Sequence, residues 1–125
     1  MSRSPNRLAA LAQAEVEATI RDLPAPVQAR ARELPVTCQP VPSASMVDDG
    51  IDPDLLGLFV GESFTEEGLT SDPLPAQILL FLNNLWEEAG RDERRFREEV
   101  RTTYLHELGH YLGLGEEGLE IRGLE

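Results

Sequence analysis

The segment DERRFREEVRTTYLHELGHYLG, residues 92–113, decides how this chain folds. Phe96, Val100, Tyr104, Leu108 and Leu112 recur at every fourth position, and only a helix gathers residues at that spacing on one side. Asp92 stands in front of the stripe as an N-cap carboxylate, and Gly113 closes it with a residue able to take positive φ. The spacing predicts a helix over about 93–112. Arg94, Arg95, Arg97 and Arg101 alternate there with Glu93, Glu98 and Glu99, a pattern that reads as the solvated face of the helix rather than a binding patch.

Inside this helix lies His106-Glu107-Leu108-Gly109-His110, an HExxH sequence holding both histidines of the chain. At about 100° per residue, positions 106 and 110 fall about 40° apart and one turn along the axis, so two imidazoles can converge on one cation. Glu107 faces the same side, close enough to accept a proton from a water without binding the ion, as a general base must. The motif extends through Gly113 to Glu116. A turn at Gly113 would bring Glu116 toward the same ion as a third ligand, with Glu117 the nearest substitute. Two histidines and a carboxylate match a catalytic zinc site, in which three protein ligands leave a position for water. Two other readings stay open: the histidines as ordinary polar residues of a half-buried helix, and a bound metal without catalysis. Gly109 in mid-helix costs roughly 1 kcal/mol against alanine, and close approach of a strand would be a reason for it.

Working outward, Leu8, Leu11, Ala12, Val16, Ile20 and Leu23 predict an N-terminal helix over roughly 5–22, capped by Ser4 with Pro5 in its first turn. Pro24 and Pro26 end it, and Val27, Ala31 and Leu34 predict a short second helix that stops before Pro35. Residues 36–41 carry strand-forming side chains, but Pro40 restricts them to an edge or a short strand. Residues 42–54 read as a loop, Leu55 to Val60 as a second strand, residues 61–77 as irregular, and Ile78 to Leu82 as a buried strand followed by a helical turn over Leu85 to Ala89. Tyr104 and Tyr111 read as packing residues.

The chain has 125 residues, 41% hydrophobic and 27% charged, which predicts one domain, 1–125, with a modest core. Its formal charge of −12 would repel phosphate backbones and anionic headgroups, so nucleic acid and membrane are not expected partners. All 11 basic side chains are arginine, which excludes lysine chemistry such as Schiff bases and P-loops. Cys38 is the single cysteine, so no disulfide forms within the chain and a cysteine-rich zinc ribbon is excluded. The N-terminal residues carry no secretory pattern and no run approaches the about 20 apolar residues of a membrane span. A cytoplasmic location is the expectation.

HELGHYLGLGEE at 106–117, preceded by ILLFL at 78–82 and a helical N-terminal half, resembles the short bacterial zincin-like proteins, minimal metzincin-like metallopeptidases. The resemblance implies a compact α+β domain in which a small mixed or antiparallel sheet packs on the active-site helix. It also implies His106 and His110 as metal ligands, Glu107 as base and Glu116 at the acidic third-ligand position. Unlike the larger metzincins, the chain has Glu at 116 and no methionine after the motif, so the floor of the site differs. The nine residues after Glu116 predict a shallow groove.

The expected activity is zinc-dependent hydrolysis of a peptide or protein substrate, held along an exposed strand near Leu55 to Val60 or Ile78 to Leu82. A metal-binding interaction module of the same fold that cuts nothing is the alternative.

Overall fold

The computed structural model describes residues 5–61 and 76–113. Ser4, Glu116 and Glu117 lie outside the described residues. The element order is α1 (Pro5–Arg21), α2 (Ala25–Arg32), β1 (Val36–Gln39), α3 (Ala44–Asp48), β2 (Gly57–Val60), β3 (Gln77–Phe81), α4 (Leu82–Glu88) and α5 (Glu93–Tyr111). The fold is a compact α+β arrangement with a small mixed sheet, as the resemblance implied.

The strands are ordered β1-β3-β2, with β1 parallel to β3 and β2 antiparallel to it. The register sets Cys38 beside Leu80, and Leu58 beside Leu79. β3 is therefore the central strand, which corrects its reading as a possible open edge. Its apolar run follows from that place: Ile78 and Leu80 join the main core, while Leu79 and Phe81 are buried outside that cluster, as in a strand covered on both faces. β1 is an edge strand that stops one residue before Pro40, for the reason the missing N–H dictates.

α5 packs against α1, α4, β2 and β3. Phe96, Val100, Tyr104 and Leu108 are all fully buried, so the stripe read from the sequence is the core face. Asp92 accepts a hydrogen bond from the Arg95 N–H at 2.9 Å, which caps the helix. At the other end Gly113 takes φ +75°. On α1, the residues Leu8, Leu11, Ala12, Val16 and Ile20 face the same core, and Trp86 of α4 meets Phe96 edge-on at 5.7 Å. No described helix is long and apolar enough to cross a membrane.

Two local readings are corrected. The loop expected over 42–54 contains α3, capped by Ser43, whose hydroxyl accepts from the Met46 N–H at 3.2 Å; five residues are too few to display a helical period. The turn expected over Leu85 to Ala89 is a fuller helix that begins at Leu82. Asn84, in its first turn, donates to the carbonyls of Pro53 and Leu55 at 2.8 and 2.9 Å. These bonds tie the chain leading into β2 to the helical layer.

Candidate metal and catalytic site

Three flanks of α5 have separate tasks. The apolar stripe is buried, Thr103 and Glu107 turn toward β2, and His106 and His110 stand exposed. This division follows from the helical period, since 103 and 107 are one turn apart, as are 106 and 110.

The contacts to β2 are close. A Cβ on Gly57 would lie 2.5 Å from Thr103 Cγ2 and 3.2 Å from the Leu79 carbonyl oxygen, so the absence of a side chain there lets the strand seat against the helix. Two residues further on, the Phe59 N–H donates to Glu107 Oε1 at 2.9 Å. Two strand residues and one helical turn each advance roughly 6 Å, so the strand and helix keep step between these two contacts. Leu58 is paired with Leu79 on β3, and backbone groups of neighbouring residues alternate in direction. The Phe59 N–H accordingly points away from β3 and is satisfied by the carboxylate. Glu107 is buried, with 8% exposure, and this charge-assisted bond offsets part of its desolvation.

The imidazoles of His106 and His110 lie with ring centroids 4.7 Å apart, tilted by 57°. His110 Nδ1 is 3.6 Å from Glu107 Oε1, beyond a hydrogen bond, so this contact does not decide which ring nitrogen meets a cation. The donors fit a borderline-soft transition metal: two neutral nitrogen ligands on one exposed helix face, with a carboxylate beside them. Among the described residues no third histidine, cysteine or acid completes the set. The sequence named Glu116 for that place, which lies outside the described residues.

Both tyrosines pack. Tyr111 is half-buried against Phe59, with centroids 5.6 Å apart. Tyr104 is fully buried, and its hydroxyl meets no hydrogen-bond partner among the described residues; burial pushes its phenol up to about 12.

The residues missed from the sequence are those that build the surroundings. A cavity of about 270 Å³ opens beside the motif, between Leu55, Leu56 and Gly57 on the strand side and Glu99, Thr102, Thr103, His106 and Glu107 on the helix. Only Gly57 carried a signal, as a glycine within an apolar strand. Close approach of a strand to the helix operates at Gly57 against Thr103.

A family model described as zincin-like metallopeptidase matches residues 31–124, more than half of the chain. No curated protein matches it.

Proposed function

The chain belongs to the zincin-like metallopeptidase family, and from that premise we propose that it is a zinc-dependent peptidase in which His106, His110 and Glu116 hold the metal and Glu107 is the general base. The observation that carries the reading is the grouping of two exposed imidazoles, 4.7 Å apart, around a carboxylate fixed by the Phe59 N–H. His106 and His110, with Glu116, would hold the zinc ion, which would supply a Lewis acid for the scissile carbonyl and would lower the pKa of a water to about 7.

The chain's own residues do the rest. Oε1 of Glu107 is occupied by the Phe59 N–H, so the carboxylate is oriented and Oε2 remains to accept a proton. It takes that proton from the attacking water and returns it to the nitrogen of the leaving amine as the C–N bond breaks. The water oxygen ends in the new carboxyl group. Among the described residues β2 pairs only with β3, and a peptide laid along its other side in extended form would pass the carboxylate. The substrate is a peptide or protein, the compartment is the cytoplasm, and residues 1–125 act as one domain without nucleic acid or membrane.

The test combines elemental analysis with digestion of a diverse peptide pool by wild type, Glu107→Gln and His106→Ala. Gln keeps an oxygen for the Phe59 N–H but cannot take a proton. Glu107→Gln should retain zinc and lose at least about 10²-fold in hydrolysis, whereas His106→Ala should lose the zinc as well. Equal cleavage by wild type and Glu107→Gln would defeat the proposal. Zinc in both proteins with cleavage by neither would favour the interaction module.

A further inference from the structure

The cavity runs from His106 and Glu107 along α5 to Glu99, and its lining is uneven. Leu55 and Leu56 supply an apolar wall, while Glu99, about two helical turns before Glu107 on the same flank of α5, also lines it. The other acids of the same helix surface are engaged: Glu93 pairs with Arg7 and Arg97, and Glu98 with Arg94. Glu99 forms no ion pair among the described residues, although Arg95 stands one turn before it. It is half-buried, so the carboxylate keeps only part of its contact with water.

Size and spacing restrict what could fill this space. A volume of about 270 Å³ falls below the roughly 300–1,000 Å³ of sites that enclose a whole small molecule, and suits one side chain of a longer ligand. Glu99 lies two turns before His106, about 10 Å along the axis, which separates it from the reacting carbonyl by about the length of one long side chain. An occupant must therefore have an apolar stem to lie on Leu55 and Leu56 and a cationic end to meet Glu99. Arginine and lysine have both. The overall charge of −12 favours the approach of such peptides.

We infer that this cavity is the specificity pocket of the enzyme, and that it selects peptides carrying arginine or lysine beside the scissile bond through Glu99. The inference rests on the peptidase reading given above for the position of the scissile bond, and Glu99 acts in it as a specificity-determining residue.

The experiment uses one peptide frame in which a single position is set to Arg, Lys, Leu or Glu and moved across the sequence. Cleavage is measured with wild type, Glu99→Gln and Glu99→Arg. Binding is measured by fluorescence anisotropy on the zinc-loaded Glu107→Gln protein, with and without Glu99→Gln. Wild type should prefer Arg or Lys over Glu by at least about tenfold at one position flanking the cut, as expected for a charge-assisted contact away from full solvent. Glu99→Gln should erase most of that ratio, and Glu99→Arg should invert it. An unchanged Arg-to-Glu ratio in Glu99→Gln, or a preference for Leu in wild type, overturns the inference. If wild type cleaves no peptide, the peptidase reading fails and the binding ratio alone judges the pocket. A basic preference that disappears with Glu99→Gln then supports it, and absent or indiscriminate binding refutes it.

Discussion

Replacing Gly57 with alanine tests whether the seat of β2 on α5 is as tight as the geometry requires. Gly57 does not have a positive φ, so backbone conformation alone favours alanine by roughly 0.5–1 kcal/mol in a strand interior. The new Cβ, however, would stand 2.5 Å from Thr103 Cγ2 and 3.2 Å from the Leu79 carbonyl oxygen. Overpacking of this kind costs about 1–3 kcal/mol against a gain of about 0.5–1 kcal/mol, so the net effect is a loss of up to about 2.5 kcal/mol. Thr103→Ser removes the obstructing methyl, at its own cost of about 1 kcal/mol for a buried carbon. In the double variant the added methyl occupies space that the lost one vacates, so the two changes should couple favourably by about 1 kcal/mol. Urea denaturation of the four proteins measures the cycle. Additive losses, or a stabilised Gly57→Ala protein, would refute the close seating. The site adds a second readout: moving β2 off α5 lengthens the bond from Phe59 to Glu107, so Gly57→Ala should lose hydrolysis before it loses zinc.

Three further outcomes are expected. Tyr104→Phe removes a buried hydroxyl that has no described partner, and should leave stability unchanged or raise it by up to about 1 kcal/mol. The folded pKa of that phenol is raised to about 12 from 10.0, so its stabilisation is complete below pH 10 and is lost as the unfolded chain ionises between pH 10 and 12, by at most about 2–3 kcal/mol. No lysine titrates in that window, and alkaline denaturation curves of wild type and Tyr104→Phe should diverge there. Asn84→Ala deletes both bonds that hold Pro53 and Leu55; it should cost about 1–2 kcal/mol and raise amide hydrogen exchange along 53–57. Asp92→Ala removes the N-cap of α5 and should cost about 0.5–2 kcal/mol in thermal unfolding, without altering metal content.

The helix that carries the motif was legible without coordinates because its information is local. An N-cap, an i, i+4 stripe and a terminal glycine lie within 22 consecutive residues, 92–113, and the helical period alone turns His106 and His110 to one face. The same locality made the apolar face of α1, the interruption at Pro24 and the early end of β1 at Pro40 readable. The short α3 was not, since one turn has no period to detect and only the Ser43 cap announces it. What the tertiary structure decided is everything set by pairing across distance. An apolar run such as Ile78 to Phe81 fits a central strand or an apolar edge equally well, and only docking between β1 and β2 made it central. Glu107 was placed by its motif, but its partner is a backbone N–H 48 positions earlier. Every non-proline residue carries that donor, so no side-chain pattern could single out Phe59. The cavity forms where Gly57 lets a strand come within contact of Thr103, a fit between two surfaces that exists only once both have folded.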